Sequence, residues 1–253
     1  MTTDTDAPNF LFLENGRRIA YHKTGGKTPT VIFFGGFMSD MEGSKALALE
    51  EYCKAQGQAY IRFDYSGHGS SSGEFRDGTI GDWKEDALAV VQKLTDGPVL
   101  IIGSSMGGWI GLLVALEVKD RLSAFIGIAP APDFTRDLMW DSYSPEIQEK
   151  LRRDGVYYEP SEYSDEPYAI SYRLIEEGDN HLLLGGPIEL DCPVRLIHGQ
   201  RDEDVPARWS QRISDALVSV DVEITYIKNG DHRLSSDKDL KRLCLTLDTL
   251  LET

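Results

Sequence analysis

A serine hydroxyl becomes a useful nucleophile only when a base can take its proton and a third group holds that base in place. From Val99 to Trp109 the chain reads Val-Leu-Ile-Ile-Gly-Ser-Ser-Met-Gly-Gly-Trp, an apolar run that passes into G-x-S-x-G and then into a helical pattern. A serine at the head of such a strand-to-helix turn has a strained backbone, and the residues two before and two after it must be small. Around Ser105 those positions are Gly103 and Gly107; around Ser104 they are Ile102 and Met106, so sterics select Ser105. The turn lifts its hydroxyl clear of the strand and sets it at a helix N-terminus, where partial positive charge favours an anionic intermediate.

Five histidines compete for the role of base. His22 falls in an N-terminal hairpin, His68 in the glycine-rich turn Asp64-Tyr-Ser-Gly-His-Gly69, where it is a candidate for the site rim, and His181 at the end of an irregular segment. His198 closes a strand just before Gly199 and is expected to be held in the sheet. His232, in Lys228-Asn-Gly-Asp-His232, follows the last strand on a loop able to bring imidazole over Ser105, and is selected. For the orienting acid, Asp202 comes sooner after the turn glycine than Asp204 and is preferred; Asp133, after the preceding strand, is a third candidate.

Acyl transfer also needs two N–H donors aimed at the developing oxyanion. One is expected from the backbone of Met106, the residue after the nucleophile. The other is assigned to the backbone of Phe37 in Phe34-Gly-Gly-Phe37, where glycines allow close approach. Trp109, Trp140, Tyr157 and Tyr158 are the candidate substrate-pocket residues.

These groups need a scaffold that gathers strand ends along one edge. Phe10–Thr24, broken by Asn15-Gly16, reads as a β-hairpin. Short apolar or β-branched runs follow at Thr30–Phe34, Ala59–Phe63, Val99–Ile102, Ala124–Ile128, Val194–Ile197 and Val222–Ile227. Helical periods separate them at Gly43–Ala55, Ile80–Leu94, Met106–Glu117, Arg208–Leu217 and Asp237–Leu251. That alternation predicts an α/β fold, a mostly parallel sheet with helices on both faces, in a single domain over 1–253. From about Asp133 to Pro187 the alternation stops. This segment, rich in charge and in aromatics (Trp140, Tyr143, Tyr157, Tyr158, Tyr163, Tyr168 and Tyr172), is expected to form a small, mainly helical cap over one end of the sheet.

Composition narrows the function classes. A chain of 253 residues with 41% hydrophobic content can bury one large core. Its net charge of −16 and the lack of any basic stripe argue against nucleic-acid binding. No apolar run approaches the ~20 residues that cross a bilayer, so membrane insertion is not expected. Three scattered cysteines fit neither a disulfide framework nor a zinc site, and no metal is expected. The polar, acidic first residues lack a signal or transit pattern, which predicts a cytoplasmic location. Oligomeric state is not readable.

Phe34–Phe37, Gly43–Cys53, Ile61–Gly67, Gly103–Trp109 and Asp231-His-Arg233 resemble the α/β-hydrolase superfamily. More narrowly, they are similar to its mitochondrial palmitoyl-protein thioesterase and acyl-glucuronide esterase branch, of which this chain, lacking a mitochondrial leader, looks like a bacterial relative. The resemblance implies an α/β-hydrolase fold, a Ser105, Asp202, His232 triad and no cofactor. It also implies hydrolysis of S-acyl thioesters or activated oxygen esters, an acylated or small-molecule substrate being the expected partner. A general carboxylesterase or a C–C bond hydrolase would use the same triad, and a non-catalytic ligand binder on this fold is the alternative outside enzymes.

Overall fold

The computed structural model describes residues 7–159 and 167–251. The expected hairpin forms from β1 (Asn9–Phe12) and β2 (Arg18–Thr24). The chain continues through β3 (Lys27–Phe34), α1 (Ser44–Gln56), β4 (Gln58–Phe63), α2 (Ile80–Leu94), β5 (Val99–Ser104), α3 (Met106–Glu117) and β6 (Leu122–Ile128). After an intervening segment come β9 (Val194–Gly199), α6 (Arg208–Ala216), β10 (Val222–Ile227) and α7 (Asp237–Leu251). That segment itself holds α4 (Pro145–Asp154), β7 (Val156–Glu159), β8 (Tyr168–Ser171) and α5 (Tyr172–Gly178).

Eight strands join in the order β1-β2-β4-β3-β5-β6-β9-β10. Pairings beyond β4 are parallel; β1 and β2 run antiparallel at one edge. Strand alternation divides the apolar residues between two faces. Ile32, Phe34, Val99, Ile101 and Phe125 pack under α2 and α3, while Val31, Phe33, Leu100, Ile102 and Ile126 pack under α1 and α7. A sheet buried on both faces reads as continuous apolar runs, the pattern that these strands show in sequence. The chain builds β4 on one side of β3 and then crosses to build β5 on the other. Loops leaving β3 and β5 therefore part toward opposite faces and open a crevice at their carboxyl ends.

Between β6 and β9 helical turns predominate, as expected, but a strand pair stands beside them. Gly155, in the left-handed region at φ 77, ends α4, and β7 pairs antiparallel with β8. The β-branched and aromatic residues in Val156-Tyr-Tyr and Tyr168-Ala-Ile favour a pleated pair here over further helix. Trp140, Tyr143, Leu151, Ile170 and Ile175 form a core belonging to the cap itself. Tyr163 lies outside the described residues. Among the described residues, no helix is long and apolar enough to cross a membrane.

Candidate active site

Ser105 stands between β5 and α3 with φ 54 and ψ −119, a backbone conformation costly for any residue with a side chain. Packing sustains it. A methyl group at Gly107 would lie 2.1 Å from the Phe34 carbonyl oxygen, and one at Gly103 would lie 2.3 Å from the Gly107 carbonyl oxygen. The Ser105 N–H donates to Ile128 O at 2.9 Å, and its own carbonyl accepts from Gly108 and Ala131. The turn is thus tied on both sides to β6 and the chain that follows it.

The loops after β9 and β10 carry the other two groups. Ser105 Oγ–H donates to His232 Nε2 at 3.0 Å, and His232 Nδ1–H donates to Asp202 Oδ2 at 2.8 Å. Asp202 Oδ1 accepts from the backbone N–H groups of Asp204 and Val205 at 3.0 and 2.8 Å. Burial pushes the Asp202 carboxyl upward, but hydrogen bonds from His198 and His232, the His232 charge and the Val205 N–H outweigh it and hold the group at about 2. The carboxylate meets one imidazole nitrogen and the serine hydroxyl meets the other, an arrangement in which an anion can orient the ring and the ring can take the serine proton.

The other sequence candidates sit elsewhere. Asp133 is buried, its two oxygens accepting from Leu183 and Leu184 N–H groups, so it anchors the end of the cap. His22 lies 3.6 Å from Glu42, and His181 bonds Glu177 at 2.6 Å. His68 is not on the rim. It is buried among Tyr65, Phe75 and Trp83, where burial pushes its pKa down to about 4, and its Nε2 has no hydrogen-bond partner among the described residues.

A cleft of about 980 Å³ opens over Ser105 and His232, and Phe37 and Met106 both line it. The Phe34–Phe37 turn passes close to Ser105, since a methyl group on Gly36 would lie 3.5 Å from Ser105 Cβ. The Phe37 ring is gripped edge-on by Phe75, Phe134, Tyr168 and Trp83, which fixes the backbone that carries its N–H. Toward α1 the cleft turns polar. Lys45 Nζ donates to Arg233 O at 2.5 Å; burial, reinforced by Arg233 and opposed by Asp231 and Asp239, pushes this amine down to about 8.

Trp109, Trp140, Tyr157 and Tyr158 do not line the cleft, which corrects the expectation from sequence. Trp109 is fully buried in α3, its indole donating to His181 O. Trp140 and Tyr157 serve the cap's own core, and Tyr158 points to solvent at 56% exposure. The apolar wall instead comes from Phe37, Met38, Phe134, Leu138, Met139 and Tyr168, with Glu159 as a carboxylate set among them. Burial raises the Glu159 carboxyl, partly countered by the Tyr143 hydroxyl donating to it at 3.1 Å. Sequence reading also missed a contact between His198 and Asp202, 3.2 Å apart. The H-G-x-x-D spacing places them at i and i+4 across a turn, but a turn's geometry is not readable from spacing alone. Asp202, Asp204 and His232 each offer one possible metal-ligand atom within 4.8 Å of one another. Both His232 nitrogens are already engaged, so a cation there would compete with the hydrogen-bonded line.

Residues 29–165 match the family model described as alpha/beta hydrolase fold. Palmitoyl-protein thioesterase ABHD10, mitochondrial, of Homo sapiens is 41% identical over 245 residues, which cover 96% of this chain and 80% of that protein. Among solved structures, the alpha/beta hydrolase domain-containing protein 10 from mouse superposes with a TM-score of 0.91 at 40% identity, covering 97% of this chain and 98% of that one. A putative hydrolase from Agrobacterium vitis S4 gives 0.92 at 38% identity, covering 96% and 98%.

Proposed function

The chain belongs to the alpha/beta hydrolase family, and from that membership we propose that it hydrolyses acyl thioesters or esters through Ser105, His232 and Asp202. The single observation that carries this reading is the unbroken line of hydrogen bonds from Ser105 Oγ through both His232 nitrogens to Asp202, opening onto a cleft with an apolar wall.

In this mechanism Ser105 Oγ attacks the acyl carbonyl as His232 Nε2 takes its proton, and the imidazolium that forms is stabilised by Asp202. The backbone N–H groups of Phe37 and Met106 receive the oxyanion. Collapse of the tetrahedral intermediate expels the thiol or alcohol, protonated by His232, and leaves an acyl-serine. Water, deprotonated by the same imidazole, then releases the acid. An S-palmitoyl thioester or an acyl-glucuronide ester suits the site. Leu138, Met139, Phe134 and Tyr168 supply apolar surface for the acyl or aryl part, and the relatives named as palmitoyl-protein thioesterases favour the thioester.

A cytoplasmic location belongs to the same proposal, supported by three free thiols; the relatives' names place them in mitochondria. The net charge of −16 supports an acylated substrate rather than nucleic acid.

The test is Ser105→Ala against S-acyl peptide, acyl-CoA and acyl-glucuronide substrates. Turnover should fall by about 10⁴-fold or more, and labelling by a fluorophosphonate probe should vanish. Wild-type turnover in that variant overturns the assignment.

A further inference from the structure

His198 is fully buried at the end of β9, an unusual place for a group that could carry charge. Its Nε2 lies 2.9 Å from Val205 O and 3.2 Å from Asp202 Oδ2. Neither a carbonyl nor an ionised carboxylate has a proton to give, so Nε2 carries the hydrogen. That hydrogen aims mainly at the Val205 carbonyl, and the electropositive N–H edge flanks Asp202. Nδ1 pairs with the buried Ser210 hydroxyl on α6, 2.7 Å away. Every polar atom of the ring has a partner, and each partner fixes the ring's orientation.

We propose that His198 is a positioning residue for Asp202, acting with Ser210 to hold the carboxylate that orients His232. The proposal rests on the triad reading above. Two contacts give the effect. Through Val205 O the ring pins the far end of the Asp202–Val205 turn, whose Val205 N–H reaches back to Asp202 Oδ1. Oδ2 lies 3.2 Å from His198 Nε2 and 2.8 Å from His232 Nδ1, so this oxygen is shared by two imidazoles, which restrains its rotation off the His232 Nδ1–H. Packing alone would be served by leucine or phenylalanine at this site. A ring with one N–H edge flanking Asp202 and its other nitrogen tied to a buried hydroxyl is what orientation requires.

The experiment compares full-length wild type, His198→Leu, His198→Gln and Ser210→Ala on a p-nitrophenyl ester. It reads kcat and KM, and also the far-downfield proton resonance of the His232 Nδ1–H. His198→Leu should lower kcat about tenfold with KM unchanged and should broaden or shift that resonance, because losing a support of the orienting acid costs a fraction of the ~10⁴-fold that losing the acid itself costs. Gln, whose amide can reach Val205 O and Asp202, should recover most of kcat, and Ser210→Ala should show a smaller loss of the same kind. A folded His198→Leu with wild-type kcat and resonance overturns the proposal, as does a loss that Gln fails to recover. Should His198→Leu not fold, wild-type kcat and resonance in Ser210→Ala overturn it. Failure of the triad reading would show separately, as turnover retained in Ser105→Ala.

Discussion

Gly199 and Gly230 meet backbone to backbone: a methyl group on Gly199 would fall 2.3 Å from the Gly230 carbonyl oxygen. That same oxygen accepts from the Arg201 N–H at 2.9 Å. The loop carrying Asp202 and the loop carrying His232 are thereby clamped at their roots, and the acid and base reach each other because the two glycines leave no room between the loops for a side chain.

Gly199→Ala should force these loops apart. Overpacking of this kind costs about 1–3 kcal/mol, seen as a lower midpoint in urea. The kcat loss should exceed what the stability loss explains, since the His232–Asp202 bond lengthens. Wild-type kcat/KM in the alanine variant would contradict the clamp.

Asp202→Asn keeps the shape of the acid and removes its charge. Turnover should fall by about 10⁴-fold, with substrate binding little changed. Asp204→Asn is the control and should stay within a few-fold of wild type. A reversed ranking, measured as kcat on one ester substrate, would make Asp204 the orienting acid.

Acyl-chain preference should follow Leu138 and Met139 rather than Tyr157 and Tyr158 of the cap. Leu138→Trp or Met139→Trp fills the apolar wall and should shift kcat/KM toward short-chain p-nitrophenyl esters by about tenfold, the worth of one or two lost methylenes of burial. Tyr158→Ala, on the solvent side, should leave the chain-length profile unchanged.

His68 makes the folded state sensitive to acid. Burial lowers its pKa from 6.5 to about 4, so between these values the unfolded chain takes up a proton that the folded one refuses. Its contribution to stability is complete above pH 6.5 and is lost as pH falls toward 4. His68→Phe removes the unpartnered Nε2, and Ser66 O keeps its bond from Trp83 Nε1. The variant should match or exceed wild-type stability at pH 7 and should flatten this part of the pH–stability curve, read by urea titration at several pH values.

Asp202 adds a second, lower window. With its folded pKa held at about 2 against an ordinary 3.8, it stabilises the fold above pH 3.8, and that contribution disappears as pH drops to about 2. The Asp202→Asn protein should therefore lose less stability than wild type across that interval.

That Ser105, Asp202 and His232 come together was legible because each follows a strand end marked by glycine, and the alternation of strand and helix puts such ends along one edge. The steric rule that selected Ser105 over Ser104 has its counterpart in the close approach of Phe34 and Gly107. The cleft wall was not legible. Aromatic content says that Trp109 and Trp140 are inside, but not which side of a layer they face; Trp109 lies on a helix buried all around, so its spacing gives no pattern to read. The β7–β8 pair was missed because four-residue strands carry too short an alternation to outweigh neighbouring helical periods. His198 was correctly placed in the sheet, yet its second partner depends on how tightly the turn to Asp202 closes.

Because Trp140, Leu151, Ile170 and Ile175 shield one another, the roof over the reaction chamber holds its shape without help from whatever fills the chamber. Tailoring the enzyme to a longer, shorter or bulkier guest then needs only a change at Leu138, which lines the chamber without packing on that core, leaving rafters and floor alone. A scaffold organised in this way can diversify its diet through point changes while the apparatus below keeps its alignment.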